Sequence, residues 1–427
     1  MLKSHFCIAF CTILLYDIDI AILCVEKITF LHNISYNFVW KGNDFLSFII
    51  LFIERIDLHM RNFIAKHVQE MPPSGIRKFF DVAATMKDVV SLGVGEPDFK
   101  TPEHVRKAAI KSLEEGETRY SSNQGMPQLR EEISKYLDRR FHTKYDPNDQ
   151  ILCTIGASEA IDVALRTIIE PGDEILVVEP SYVSYKPSIL LQGGVPVVLT
   201  TKVENEFRLT PEELESAITP KTKALIFPYP NNPTGGIMEK EDLEKIAPVL
   251  IKHDILVISD EIYAELTYGG LDHVSIASIP GMYERTIVLN GFAKSFAMTG
   301  WRLGYAAGPK DLILAMNKVH AYVIMCAPTM SQYAAIEALK DPVQCDKDVA
   351  EMREAYDERR KYLIAEFNRL GMTCFEPKGA FYVFPSIQLT GLTSAEFCDK
   401  MLFEGKVAVV PGTAFGDCGE GFIRISY

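Results

Sequence analysis

Seven short apolar runs, rich in Val, Ile and Leu, recur at 151–155, 174–178, 195–199, 224–227, 255–258, 286–289 and 303–307, with helical patterns between them. Such alternation predicts βαβ units, because a strand apolar throughout must be covered on both faces and the intervening helices provide the cover. The expected fold class is α/β, with a mostly parallel, doubly wound seven-stranded sheet. At 427 residues there is room for a further, smaller domain. Ligands of such sheets sit at the carboxyl ends of the strands, so the residues just after each run are the candidate site.

Thr101 and Pro102 read as the cap and first position of a helix, and after the 151–155 run come Gly156, Ala157, Ser158 and a further helix start. Unpaired backbone N–H groups and the helix dipole converge there and can hold an anion, although a Gly-Ala-Ser turn alone is more often a plain cap. Tyr182 closes the next strand and offers a ring face to a flat heteroaromatic group, or ordinary packing. The turn formers from 228 to 236 fix Asn232 with its amide able to donate to a phenolic oxygen. Asp260 ends another buried run, where a carboxylate needs a cation or a strong N–H donor, and Tyr263 follows three residues on. The 286–289 run leads to Lys294 and, eight residues later, Arg302. A desolvated lysine is partly neutral near pH 7 and can condense with an aldehyde. A planar guanidinium suits a phosphate dianion. One Lys and one Arg would mean little, but successive strand ends delivering these groups describe a single site for a ligand with an aldehyde, a phosphate and a ring nitrogen.

Charge and composition exclude several classes. A formal net charge of −13 without a basic block argues against nucleic acid or an anionic membrane as the main partner. Nine cysteines lie scattered without CxxC pairs or metal spacing, which implies reduced packing residues in a cytoplasmic protein and no metal site. Residues 1–59 are rich in Ile, Phe, Leu, Asn and Tyr, and their apolar stretch at 6–24 contains Asp17 and Asp19, which are costly inside a membrane. The expectation is an N-terminal extension outside the fold, unstructured or a misplaced start, with Met60 opening the folded part. Only this extension offers a membrane anchor.

The motifs Gly-Glu-Pro-Asp-Phe at 95–99, Asn-Asn-Pro-Thr-Gly at 231–235, Ser-Asp-Glu-Ile-Tyr at 259–263 and Lys-Ser-Phe-Ala-Met-Thr-Gly-Trp-Arg at 294–302 occur in that order. Together they resemble the class I and II aminotransferases, pyridoxal-phosphate enzymes of fold type I, over about residues 60–427. The resemblance implies a large domain at 101–345 that binds pyridoxal 5'-phosphate, and a smaller α+β domain built from 60–100 and 346–427. It implies that Lys294 condenses with the cofactor and then moves the proton. Asp260 would pair with the pyridine nitrogen, Tyr263 and Asn232 with the ring 3-oxygen, and Tyr182 would stack on the ring. Ala157, Ser158 and Arg302 would hold the phosphate, and Tyr120 would reach the phosphate of a neighbouring subunit in a homodimer. Arg424 would clamp the substrate α-carboxylate, which Gly95 approaches through its backbone and Asn232 also contacts. The implied reaction is ping-pong transamination from an L-amino acid to a 2-oxo acid, with 2-oxoglutarate the expected acceptor. The wording at 74–79 and 379–385 is most similar to the branch holding aspartate, aromatic and N-acetyl-diaminopimelate aminotransferases, and leaves the donor open.

The chain departs from the family pattern in three places. Gly291 stands where many relatives carry a serine, which predicts one phosphate donor fewer. The 1–59 extension is the second. The third is the end at Tyr427, three residues past Arg424, from which a loosely held carboxylate-binding strand and an uncovered apolar face are expected. Alternative readings of the same scaffold are a C–S lyase, an inactive relative, or a cofactor-sensing regulator. The regulator would need a basic DNA-binding module, and residues 1–59 carry no such pattern.

Overall fold

The computed structural model of the chain describes residues 62–69, 71, 86 and 88–427. The expectations for residues 1–59 and the 74–79 wording lie outside the described residues. The chain divides into two compact units, Met1–Ala65 and Lys66–Tyr427, and the sheets belong to the second.

A short strand β1 (Val90–Ser91) precedes two helices, α1 (Glu103–Glu114) and α2 (Pro127–Phe141). Strand and helix then alternate through β2 (Ile151–Thr154), α3 (Gly156–Ile168), β3 (Glu174–Glu179), α4 (Tyr185–Leu191) and β4 (Val195–Thr200). The alternation continues with α5 (Pro211–Ala217), β5 (Thr222–Phe227), α6 (Lys240–Lys252) and β6 (Leu256–Asp260). β7 (Thr286–Gly291), a single helical turn α7 (Phe292–Ser295) and β8 (Gly304–Ala307) complete one seven-stranded sheet of order β2-β8-β7-β6-β5-β3-β4. All the apolar runs of the sequence enter it. Neighbouring residues of the central strands serve opposite faces: Ile226 and Ile258 pack toward α3, Leu225 and Val257 toward α6. Both faces are therefore core, which explains why these runs lack polar alternation. Every pairing is parallel except those of β8, which runs antiparallel to β2 and to β7. A parallel neighbour would need a crossover of a dozen or more residues, usually with a full helix. The segment after β7 instead makes one turn around Lys294 and comes straight back.

Beyond the sheet lie α8 (Lys310–Val323), α9 (Thr329–Leu339) and the 28-residue α10 (Pro342–Arg369). The C-terminal part adds β9 (Tyr382–Val383), α11 (Ser394–Phe403), β10 (Val407–Ala408), β11 (Val410–Pro411) and β12 (Ile423–Ser426). β10 pairs parallel with β1, and β12 is the middle strand of a small sheet of order β11-β12-β9.

Two local readings of the sequence are corrected. A helix start with Thr101 as cap and Pro102 at the first position follows from the sequence, but Pro102 occupies the cap position and Thr101 makes no cap bond. The Thr101 hydroxyl donates to the Ala297 carbonyl at 2.7 Å and accepts from the Trp301 indole at 3.0 Å, tying the start of α1 to the turn after Lys294. The strand carrying Arg424 is not a loose end: both its edges are paired, the Ser426 N–H donates to the Leu92 carbonyl at 2.7 Å, and the Tyr427 ring packs edge-on against Tyr356. An apolar groove of about 380 Å³ runs beside it, lined by Leu92, Tyr362, Leu363, Ile425 and Tyr427.

Candidate active site

The carboxyl ends of β2, β3, β5, β6 and β7 open on a cavity of about 530 Å³. Gly95, Ala157, Ser158, Tyr182, Asn232, Asp260, Tyr263, Lys294, Arg302 and Arg424 all line it. Tyr120 does not: it lies between α1 and α2, 80% exposed, outside the cavity of its own chain.

One end of the cavity is made of backbone. Gly156, at a φ of +72°, turns the chain from β2 into α3, and no side chain caps the helix. The N–H groups of Gly156, Ala157 and Ser158 open the helix and so lack intrahelical acceptors. Arg302, itself at a φ of +52°, lays its guanidinium against this turn, where a Cβ on Gly156 would stand 2.9 Å from Nη2. β8 also presses on the turn, and a Cβ on Gly304 would lie 2.7 Å from the Ala157 nitrogen. Glycine at both positions is what lets amides and guanidinium converge on one spot, an anion cup strengthened by the helix dipole. Gly291 faces Gly304 across the β7–β8 pair, and a Cβ there would come within 2.8 Å of the Gly304 α-carbon. The resemblance suggested a lost hydroxyl; the backbone shows that a side chain fits here only if β8 shifts.

The middle of the cavity holds two groups whose ionisation is displaced by burial. Lys294 stands on α7, its Nζ 5.7 Å from the Tyr263 ring centre and 5.5 Å from that of Phe381, donating to the Gly95 carbonyl. Burial, with Arg424 adding to it, lowers its ammonium from 10.5 to about 8. Asp260 ends β6, and burial raises its carboxyl from 3.8 to about 6 against the opposing hydrogen bonds of Tyr185 and Ile262. The Tyr185 hydroxyl donates to Asp260 Oδ2 at 2.8 Å and the Ile262 N–H to Oδ1 at 3.2 Å. Tyr185 escaped the sequence reading; it opens α4, three residues after Tyr182, which lies ahead of that helix.

At the other end Arg424 projects from β12. Its Nη1 donates to Asn232 Oδ1 at 2.9 Å and its Nη2 to the Gly93 carbonyl. The guanidinium lies between two rings, 4.7 Å from the Tyr382 centre and 4.8 Å from that of Phe415. Its buried Nε has no partner among the described residues. Accepting from Arg424 turns the Asn232 carbonyl oxygen away and leaves its NH₂ to the cavity. The Tyr382 hydroxyl also meets that of Tyr263 at 2.7 Å, and a Cβ on Gly95 would overlap it, so Gly95 is glycine for want of space. Tyr382 and Phe415 were missed as site residues; nothing local in the sequence pairs either with Arg424.

Residues 87–427 match the family described as aminotransferase class I and II. The aspartate aminotransferase of Pyrococcus abyssi is 51% identical, over 83% of this chain and 91% of that relative. The aromatic-amino-acid aminotransferase 2 of Thermococcus litoralis is 46% identical, over 85% and 93%. Among solved structures, the aspartate aminotransferase from Thermus thermophilus with maleate superposes with a TM-score of 0.82 at 39% identity, covering 85% of this chain and 94% of that one. With the family matched over most of its length and close relatives matched nearly end to end, the chain belongs to the class I and II aminotransferases and is an enzyme that transfers amino groups.

Proposed function

We propose that this aminotransferase works with pyridoxal 5'-phosphate seated in the cavity and attached through Lys294. The observation that carries the reading is a lysine lowered to about 8 in the same cavity as a buried carboxylate and an anion cup. The residues fit the group at each end. The cup matches a phosphate, Asp260 is a buried acceptor in want of a ring N–H, and Tyr182 offers its face between them. When bound, pyridoxal phosphate supplies an aldehyde for amines and a ring that takes up the electron pair of a broken Cα–H bond.

The chain's own residues supply the rest. Lys294, lowered to about 8, is mostly charged at pH 7 but neutral in about a tenth of molecules there and about half at pH 8, so its Nζ can take the α-proton and give it back. Asp260, held by Tyr185 and the Ile262 N–H, would accept from the ring nitrogen. The Asn232 NH₂ and the Tyr263 hydroxyl would donate to the ring 3-oxygen, with Tyr382 orienting Tyr263. Arg424, its plane fixed between two rings, grips the α-carboxylate through paired N–H groups, and Gly95 leaves room for it. A carboxylate held in this way is retained, while the proton beside it is the one Lys294 can reach.

Residues 101–345 then form the large cofactor-binding domain, and 60–100 with 346–427 the smaller one; the β1–β10 pair and the Arg424–Gly93 bond support that division. A homodimer is supported by exposed apolar side chains on adjoining segments, Tyr120 at 80% and Tyr322 at 95%, with Val323, Ile324 and Met325 beside the latter. Those segments are joined where the Thr329 hydroxyl donates to the Arg119 carbonyl at 2.7 Å. The partner subunit's Tyr120 would complete the cup. No helix among the described residues is long and apolar enough to cross a membrane, and buried free thiols such as Cys153 and Cys398 suit the cytoplasm. The names of the relatives point to aspartate or an aromatic amino acid as donor, with 2-oxoglutarate as acceptor, and a donor panel ranks them. For the reading itself, borohydride reduction of the reconstituted enzyme followed by peptide mapping should place the cofactor mass on Lys294. The same mass on another lysine, or none, refutes it.

A further inference from the structure

The acid one residue past the cup does not cap it. Glu159 lies in the first turn of α3, where a carboxylate ordinarily turns back to satisfy the helix's own free N–H groups. Here one oxygen serves only the N–H of the cap residue Ile155, and the other turns to a different helix, so neither reaches the N–H groups of Gly156, Ala157 and Ser158. Oε2 accepts from the Ile155 N–H at 2.5 Å, and Oε1 meets His320 Nδ1 at 2.6 Å. His320 comes from α8, is wholly buried, and its Nε2 has no partner among the described residues. A histidine buried at that cost has its one polar contact in Glu159. Packing does not require it, for its neighbours Ile313 and Met316 on the same helix lie in an apolar core.

We infer that His320 and Glu159 are positioning residues for the anion cup: the imidazole holds the carboxylate turned away from Gly156, Ala157 and Ser158, keeping their N–H groups free for the cofactor phosphate while Glu159 pins the Ile155 end of the turn. Without the imidazole the carboxylate swings onto those N–H groups and competes with phosphate for the same helix end. The inference rests on the reading that this cup takes the phosphate.

The test is titration of the apo enzyme with pyridoxal 5'-phosphate and with pyridoxal, which lacks the phosphate, on wild type and four variants, with thermal unfolding as a check of the fold. In wild type the phosphate ester should bind far more tightly than pyridoxal; equal affinities would sink the cup reading itself. His320→Phe should weaken the phosphate ester about tenfold and pyridoxal hardly at all. His320→Asn, whose amide can stand in for Nδ1, should restore most of the loss. In a Glu159→Ala background, where no carboxylate is left to swing, adding His320→Phe should change the preference no further. If His320→Phe leaves the ratio of the two affinities at the wild-type value, or lowers it equally with and without Glu159, the inference is wrong. Should His320→Phe fail to fold, the comparison of His320→Asn with Glu159→Ala decides: a wild-type ratio in the first and a lowered ratio in the second is required.

Discussion

The anion cup and the Arg424 clamp both grip oxyanions, and they are built in opposite ways. The cup is backbone: amides at a helix start, two glycines that leave space, and one arginine, drawn largely from 156–158 and 302–304. The clamp is side chain: a guanidinium from β12 held by Asn232, Gly93, Tyr382 and Phe415, groups spread from residue 93 to residue 424. The first tolerates little at its glycines and is rigid by covalent connection. The second is only as good as the packing between distant segments. If these are two devices rather than one, changes at either end should divide cleanly between cofactor and substrate.

The largest effect comes from removing what lies between them. Lys294→Ala deletes the base, and turnover should fall by about 10⁴-fold. Pyridoxamine 5'-phosphate, which needs no lysine attachment, should still bind as in wild type when followed by fluorescence. A collapse of that affinity would mean that the cup depends on the middle of the site, and the comparison would break.

The middle is also where pH acts on the apo protein. Asp260 rises from 3.8 to about 6 on folding, so the folded state holds that proton more tightly. Its contribution to stability is present in full below 3.8 and is lost as pH rises through about 6, a loss of about 3 kcal/mol. Lys294 falls from 10.5 to about 8, so its folded form favours the neutral amine. That penalty is full below about 8 and is relieved as pH climbs toward 10.5. Between about 6 and 8 both groups are charged and buried, and urea midpoints of the apo protein should dip there. Asp260→Asn should abolish the descending limb and Lys294→Met the ascending one. Difference curves that stay flat would show that these two groups do not carry the dependence.

The same contrast explains what the sequence could reveal. A parallel sheet brings every strand's carboxyl end to one edge, so residues that follow apolar runs converge without any knowledge of distances; Gly156, Tyr182, Asn232, Asp260 and Lys294 were legible for that reason. Tyr185 was missed, because Tyr182 lies ahead of the helix that Tyr185 opens and no regular spacing joins the two. The rings around Arg424 were not, because Phe415 and Tyr382 reach it only once β12 has paired with β9 and β11. Thr101 looked like a cap because a sequence shows the helix behind it but not Trp301, which takes its hydroxyl from 200 residues away. The direction of β8 was hidden in the length of its connection. The roles of Gly156 and Gly304 are steric and appear only when the partner backbone is in place.

At the substrate end, Arg424→Lys keeps the charge and loses the fork and the stacking plane. The cost should be about 2 kcal/mol, seen as a rise of about thirtyfold in the donor KM, with cofactor affinity unchanged. A matching loss of cofactor affinity would show that the clamp and the cofactor site communicate, with Asn232, which holds Arg424 and is proposed to hold the ring 3-oxygen, placed between them.

The smallest effect separates two explanations of Gly291. If the glycine merely lacks a hydroxyl, Gly291→Ser should tighten the cofactor. The structure argues otherwise. Its φ of 172° is extended backbone open to any residue, so serine meets no dihedral strain; the obstacle is space. A Cβ would stand 2.8 Å from the Gly304 α-carbon and 3.0 Å from the Leu303 carbonyl, main-chain atoms that cannot rotate aside. Relief requires β8 to move, and β8 carries Gly304, which abuts Ala157, and starts two residues after Arg302. Overpacking of this kind costs about 1 to 3 kcal/mol, and a new hydroxyl bond to phosphate offsets part of it. The net expectation is a loss of about 1 kcal/mol, or roughly fivefold in the dissociation constant for pyridoxal 5'-phosphate, with donor KM unmoved. Gly291→Ala, which has the Cβ but no hydroxyl, should be worse than serine by whatever the hydroxyl is worth. Serine binding the cofactor more tightly than glycine would overturn the steric account and return the cup to a simple count of donors.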